Sequence, residues 1–189
     1  MSKPLVELRG ATVELGGCRV LDNVDFVVAA GELREVRGPN GWGKSTLLKV
    51  LAGVIPAGSL RISGCDVDKL SAATLADLRA WLPQQPTCAW SMTAGEVAAL
   101  GKADGGAALS LLGIAHLHDR RIDELSGGEA RLVHVARCLA QLGVPAGKVL
   151  LLDEPDAGLD TEKRARLEGA LRAFVGAGGA VVMATHGVG

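Results

Sequence analysis

The sequence lacks an uninterrupted apolar run long enough for a membrane helix, which needs about 18 residues or more. Hydrophobic residues make up 48% of the 189-residue chain and charged residues 22%, a composition typical of a folded globular protein. The N-terminal sequence MSKPLVELRG also lacks the apolar core of a signal peptide. We therefore expect a soluble protein, whose action at a membrane would require a partner that spans it.

A basic excess and paired cysteines are also absent. The chain has 20 basic and 21 acidic residues and a net charge of −1, so no large positive charge points to nucleic acid. The four cysteines, Cys18, Cys65, Cys88 and Cys138, are widely separated and form no CxxC pair. We predict reduced, buried thiols of a cytosolic protein, in preference to disulfide bonds or a cysteine metal site.

Two kinds of pattern divide the chain. Residues 5–28 alternate between apolar and polar positions, which predicts strands of an antiparallel sheet. Downstream, strand patterns at 32–37, 148–153 and 179–186 are interspersed with helix patterns at 45–53, 71–80, 94–113, 127–142 and 160–175. Such alternation predicts an α/β fold, with a parallel sheet covered by helices on both faces. Ligands of such sheets bind beyond the carboxyl ends of the strands, where Lys44, Asp153 and His186 are expected.

A glycine-rich segment between a predicted strand and a predicted helix matches the pattern GxxxxGK[ST] in full. Its backbone N–H groups and the positive N-terminus of the helix are suited to phosphate groups. Lys44 is expected to reach the β- and γ-phosphates, and the Ser45 hydroxyl is expected to ligate Mg²⁺. The predicted phosphate loop consists of Gly38, Pro39, Asn40, Gly41, Trp42, Gly43, Lys44, Ser45 and Thr46.

Two acidic residues follow the apolar strand pattern at 148–153. Asp153 is placed to hold Mg²⁺ directly or through water, and Glu154 is placed to act as general base on the attacking water. An apolar strand that ends in two acids is weak evidence alone. It gains weight because it follows the phosphate loop in the order expected of an ATPase.

Residues 125–129 read Leu-Ser-Gly-Gly-Glu at the start of a predicted helix, another phosphate-binding arrangement. With the preceding motifs, this segment resembles the LSGGQ or LSGGE signature of the ABC (ATP-binding cassette) ATPases, and the resemblance covers essentially the whole chain. In that family the signature closes on the γ-phosphate held by a second subunit. The resemblance therefore implies that Ser126, Gly127 and Gly128 bind nucleotide in trans.

Three further positions of the family follow in order. Gln84 corresponds to the glutamine that senses Mg²⁺, with the neighbouring Gln85 as an alternative. Asp160 corresponds to the aspartate that communicates across the dimer, and His186 to the switch histidine that contacts the γ-phosphate. The resemblance thus implies catalytic roles for Glu154, His186 and Gln84, and Mg²⁺ ligation by Ser45, Asp153 and Gln84.

The resemblance also implies an architecture and a set of partners. We expect a P-loop NTPase core with a mainly parallel sheet, an N-terminal antiparallel β subdomain and a small helical subdomain that carries the signature. The single domain 1–189 would have its core at about 1–83 and 145–189 and its helical part at about 84–144. The expected ligands are ATP and Mg²⁺. The expected partners are a second ABC ATPase domain and a multi-span membrane permease at the cytoplasmic face, contacted near residues 86–92, and no nucleic acid is expected.

Four features depart from the family pattern. Leu15 stands where an aromatic residue usually stacks on adenine, and the chain has no tyrosine. Because such a stack is worth about 1–3 kcal/mol, we expect weaker ATP binding or looser base discrimination. The polar segment 32–37 is unusual for a central strand, so its charges must pair with one another or face a partner. Trp42 is bulky for its loop position, and the signature helix reads Glu129-Ala130-Arg131, without the glutamines that are common there.

The leading hypothesis is the ATPase of a membrane transporter. Residues 82–86, 96–97 and 139–142 look most like the ATPases of siderophore, haem and cobalamin importers, whereas the short length is similar to the small haem-exporter ATPases. A soluble ABC ATPase, for example of iron-sulfur assembly, and a weakly hydrolysing regulator are the alternatives. The presence of Glu154 and His186 argues against the regulator.

Overall fold

The computed structural model describes residues 4–86, 91–101 and 104–186. Three short 3-10 turns, at Val67–Lys69, Ala115–Leu117 and Ile122–Glu124, connect longer elements. The strands are β1 (Pro4–Leu15), β2 (Cys18–Ala29), β3 (Leu33–Gly38), β4 (Ser59–Ile62), β5 (Cys65–Asp66), β6 (Arg79–Leu82), β7 (Val149–Asp153) and β8 (Ala180–His186). The helices are α1 (Lys44–Leu51), α2 (Ala72–Leu78), α3 (Ala94–Ala99), α4 (Gly105–Leu111), α5 (Gly127–Leu142) and α6 (Thr161–Gly176).

The strands form two sheets, as the sequence patterns predict. The N-terminal sheet is antiparallel with the order β2-β1-β4-β5, and the second sheet is parallel with the order β3-β8-β7-β6. The N-terminal part contains two strands of 12 residues each, instead of several short ones. Register shifts, for example between Leu8 and Ala11, interrupt their pairing where the alternation of the sequence is irregular.

The apolar side chains form two clusters, one on each face of the parallel sheet. Leu150 and Leu152 of β7 pack with residues of α3, α4, α5 and α6, whereas Val149 and Leu151 pack with α1 and the N-terminal sheet. All five residues of β7 are buried. A strand covered on both faces loses the alternation of a half-exposed strand, which explains its continuous apolar sequence.

The predicted helix at 71–80 is too long, and the strand that follows it was missed. Helix α2 starts at the predicted cap Ser71, whose side chain accepts from Thr74 N, but it ends at Leu78. Arg79 is extended and opens β6, which pairs in parallel with β7 and buries Ala80 and Leu82 completely. Because β7 offers a free edge to this segment, sheet pairing overrides the local helix pattern.

The polar segment 32–37 forms β3 at an edge of the described parallel sheet, so the expectation of a central strand is wrong within the described residues. Its charges pair along the strand. Arg34 Nε donates to Glu32 Oε1 at 2.7 Å, and Arg37 Nε donates to Glu35 Oε2 at 2.6 Å. These pairs are largely exposed. Burial of unpaired charge is therefore avoided, because the charges pair with one another, which was the first of the two arrangements expected from the sequence.

Two smaller expectations need correction. Cys18 and Cys65 are exposed and only Cys138 is buried, because both exposed thiols lie at strand ends in the N-terminal sheet; Cys88 lies outside the described residues. The helix pattern at 94–113 does divide in two, but Gly105-Gly106 begins the second helix instead of breaking it. Asp104 caps this helix by accepting from Gly106 N and Ala107 N. The division into a core and a helical part at residues 84–144 remains a prediction.

Candidate nucleotide-binding site

The predicted phosphate loop connects the end of β3 to the first turn of α1. Gly43, which precedes α1, has a φ of 81°, and a Cβ atom there would lie 2.9 Å from Val20 Cγ1. Only glycine therefore lets the loop pack this closely against β2. The first turn of α1 contains no acidic side chain, so the positive end of the helix dipole is not offset by a carboxylate of that turn.

Lys44 is buried at the start of α1, with 8% of its surface exposed. Its Nζ donates to the carbonyl oxygens of Gly38 and Pro39, at 3.0 Å for Pro39. The ammonium group thus lies against the backbone of the loop that would enclose an anion. The arrangement provides backbone donors, a helix N-terminus and a lysine at one place, which is suited to phosphate.

A cavity of about 340 Å³ lies in front of this loop. Residues 40–46 line it together with Val20, Gln84 and Glu154. Gln85, the alternative for the glutamine position, is not among the described lining residues. Val20 was missed from the sequence as a lining residue, because only the fold brings this part of β2 against Gly43 of the loop. The cavity thus brings the predicted loop, glutamine and general base together.

The two carboxylates at the end of β7 differ in their surroundings. Asp153 is 2% exposed, and burial raises its pKa, an effect that the hydrogen bond with the Ser45 side chain opposes. Among the described residues, its buried Oδ1 atom has no hydrogen-bond partner. A carboxylate oxygen without a partner beside a serine hydroxyl is a donor set that Mg²⁺ accepts, so the residues present fit the predicted metal.

Glu154 turns the chain away from the sheet. Its φ of 51° lies in the left-handed region, which few residues other than glycine adopt, and its N–H donates to Ala184 O at 3.0 Å. The side chain is 7% exposed and borders the cavity. A sparsely populated backbone conformation at a buried acid is a pattern associated with functional sites.

The signature segment begins α5 and lies outside the described lining of the cavity. Ser126 caps the helix in a capping box: its Oγ accepts from Glu129 N, and its own N–H donates to Glu129 Oε2. The Ser126 hydroxyl also donates to Glu129 Oε2 at 2.7 Å. These bonds lower the pKa of Glu129. A Cβ atom on Gly127 would meet nothing within 4 Å, whereas one on Gly128 would lie 2.6 Å from Gly158 O. Gly128 therefore permits close packing, and the helix start at Gly127 faces open space.

Leu15, Asp160 and His186 are not among the described lining residues of the cavity, whereas Trp42 is one of them. Leu15 ends β1 beside the two-glycine turn and is 48% exposed. Asp160 caps α6 by accepting from Lys163 N at 2.8 Å, which lowers its pKa. Trp42 packs its ring near Gly38 but remains 73% exposed. His186 is the last residue of β8, in register with Gly38 of β3.

Fold and site together define a nucleotide-binding protein of the P-loop class: a phosphate loop opens onto a cavity that a buried carboxylate turn also borders. Within the residues described, no helix is both long and apolar enough to cross a membrane.

Comparison with known proteins identifies the family. The model of the family described as ABC transporter matches residues 21–157. The hemin import ATP-binding protein HmuV of Roseobacter denitrificans is 40% identical over 93% of this chain and 72% of its own length. HmuV of Nocardia farcinica is 41% identical over 96% of this chain and 68% of its own length. The crystal structure of the ADP conformation of an ATP-binding cassette of an ABC transporter, 24% identical, superposes with a TM-score of 0.81 over 100% of this chain and 83% of that one.

The chain belongs to the ATP-binding subunits of the ABC transporter family. This membership confirms the predicted fold, the predicted ATPase activity coupled to transport, and association with a transporter complex. It also implies that the protein binds ATP.

Proposed function

We propose that this chain is the ATPase subunit of an importer for hemin or a similar iron chelate. The names of its relatives support import of hemin, and the sequence segments at 82–86, 96–97 and 139–142 point to the same group of importers. The subunit would work at the cytoplasmic face of a membrane, bound to a multi-span permease. Residues 87–90, expected near the permease, lie outside the described residues.

One observation carries the ATPase part of the proposal: a cavity is lined by phosphate-loop residues, Gln84 and Glu154, and the lining residue Ser45 is hydrogen-bonded to the buried Asp153. This set contains the groups that a phosphate-transferring hydrolase needs for binding, metal ligation and activation of water. Ser45, Asp153 and Gln84 would hold Mg²⁺. When bound, the ion would neutralise charge on the phosphate oxygens.

Different residues of this chain would bind the phosphates, activate the water and contact the γ-phosphate. The loop N–H groups and Lys44 hold and orient the phosphates. Glu154 accepts a proton from the attacking water, which is directed at the γ-phosphorus. His186 would contact the γ-phosphate from the end of β8. The roles of Glu154 and His186 are those of the predicted general base and switch.

A second copy of the chain would complete the site. Ser126, Gly127 and Gly128 lie outside the described lining of their own chain's cavity, and Gly127 faces open space. This placement supports binding in trans, with the signature of one copy closing on the nucleotide of the other. Asp160, at the start of α6, would contribute to the contact between the two copies.

The substitution Glu154→Gln tests the ATPase and the dimer together. It keeps the size of the side chain but removes the base, so turnover should fall roughly 10²- to 10⁴-fold while ATP binding persists. The variant should accumulate as an ATP-bound dimer, measured by size-exclusion chromatography with light scattering. Adding Ser126→Arg should return it to monomer, because a bulky cation would block the second half of the site.

The exposed Glu168→Gln on α6 is the matched control and should keep wild-type turnover and assembly. A Glu154→Gln protein that hydrolyses at the wild-type rate, or binds ATP and stays monomeric, contradicts the proposed mechanism. The substrate is tested by reconstitution into vesicles with a multi-span permease that binds this subunit. Hemin should stimulate ATPase activity and accumulate inside the compartment to which an importer delivers, whereas stimulation by cobalamin alone, or transport in the opposite direction, would contradict the hemin proposal.

A further inference from the structure

Arg131 connects the helix that begins at the signature with two other parts of the site. Its Nη1 atom donates to the carbonyl oxygens of Asp153 at 3.0 Å and Glu154 at 2.9 Å. Its Nη2 atom donates to the carbonyl oxygen of Gln84. One guanidinium group therefore contacts the backbone of three residues whose side chains are expected to bind Mg²⁺ or activate water.

The carbonyl groups at Asp153 and Glu154 lie where the chain leaves the sheet. Strand β7 ends at Asp153, and Glu154 adopts its left-handed conformation immediately afterwards. Buried carbonyl groups need donors, and a conformation of this kind persists only where surrounding contacts hold it. Glu154 O also accepts from Ala157 N at 3.2 Å, so Arg131 and the following turn hold this carbonyl from two sides.

A guanidinium group suits this geometry better than other polar side chains do. A guanidinium group has five N–H donors in one plane, whereas a glutamine amide has two and a lysine ammonium is a compact point charge. Glutamines are the residues expected from the family near this position. A glutamine has only two N–H donors, both on one nitrogen, so it could not bind all three carbonyl oxygens at once. The contact at Gln84 or at the 153–154 turn would then be lost.

We propose that Arg131 is a positioning residue that keeps the general base and the metal-sensing glutamine aligned with the signature helix. This proposal rests on the proposed function, because it gives Glu154 and Gln84 the roles of general base and metal-sensing glutamine. Arg131 acts through the backbone of these residues. It connects α5, and hence the signature of the same chain, to the cavity that the signature itself does not line. Movement of α5 on dimerisation would then be transmitted directly to the residues that hydrolyse ATP.

The test is the series Arg131→Met, Arg131→Gln and Arg131→Lys in the otherwise unchanged chain. Arg131→Met should lower kcat roughly 10- to 100-fold, because small displacements of catalytic groups have effects of this order. The Kd for ATP, measured by titration calorimetry, should change less than about twofold, because the phosphate loop is untouched. Arg131→Lys and Arg131→Gln, which keep some donors, should give intermediate values of kcat.

Arg166→Met is the matched control. Arg166 also joins a helix to a distant backbone carbonyl, by donating from Nη1 to Gly113 O at 2.7 Å, but it lies outside the described cavity lining. Loss of Arg166 should lower the melting temperature, but it should not lower kcat while leaving the Kd for ATP unchanged. If Arg131→Met does not fold, the same separation is measured on Arg131→Lys.

Wild-type kcat in folded Arg131→Met, or a joint loss of binding and turnover in proportion to unfolded protein, would overturn the positioning role. Failure of the proposed function looks different, since Glu154→Gln would then keep full turnover whatever the result at Arg131.

Discussion

His134 should make the stability of this protein depend on pH in the acid range. The ring lies on α5 with 4% of its surface exposed, and among the described residues its Nδ1 atom has no hydrogen-bond partner. Burial, reinforced by the positive charges of Arg137 and Arg131, lowers the pKa of His134 from 6.5 to about 4. The folded protein therefore holds this histidine neutral, whereas the unfolded chain protonates it below pH 6.5.

The sign and size of the effect follow from this difference. Because the unfolded state binds the proton first, the free energy of unfolding falls as the pH drops from about 6.5 through 4. With the lowered pKa of about 4, the expected loss from this group is about 2 kcal/mol at pH 5 and about 3 kcal/mol at pH 4. A typical domain has only about 5–15 kcal/mol of total stability, so this loss is large.

The assay is urea unfolding of the wild type and His134→Leu at pH values between 7 and 4. Leucine does not titrate, so the difference between the two free energies of unfolding isolates His134 from the carboxylates that titrate in both proteins. That difference should change by about 2 kcal/mol between pH 7 and pH 5. His116→Gln, at an exposed histidine, is the control for a substitution that leaves the core intact. A pH-independent difference between wild type and His134→Leu would refute the reasoning.

Two further predictions concern the nucleotide site. Leu15→Tyr should tighten ATP binding by up to about 1–3 kcal/mol, or roughly 5- to 160-fold in Kd, if this position contacts adenine. Titration calorimetry measures this change, and Glu14→Tyr, on the opposite face of β1, is the control. An unchanged Kd in Leu15→Tyr would mean that adenine binds elsewhere. Asp153→Asn should raise the melting temperature of the nucleotide-free protein at pH 7, because ionisation of this buried acid with its raised pKa disfavours folding as the pH increases. The gain should disappear as the pH falls below the ordinary range of a carboxyl, and a gain that persists there would contradict the assignment to ionisation.

The three main motifs could be located from the sequence because each is a continuous, local arrangement of the chain. The phosphate loop needs glycines before a helix, and the signature needs a serine cap with Glu129 three residues later, which the structure shows as a capping box. Strand β7 was recognisable because burial on both faces leaves a continuous apolar run. Their shared α/β fold followed from the alternation of strands and helices.

Only the tertiary structure decided features that depend on segments distant in the chain. Residues 79–82 became a strand because β7 was available to pair with them, against their local pattern. The exposure of Cys18 and Cys65 and the pairing of the charges in β3 depended on which sheet edges were covered. The reach of Arg131 to Gln84, 47 residues away, was equally invisible in the sequence, where the residue was only a departure from a family pattern. Local motifs depend on neighbouring residues and are therefore visible in the sequence. Burial and hydrogen bonds between distant residues arise only when the packed chain brings those segments together.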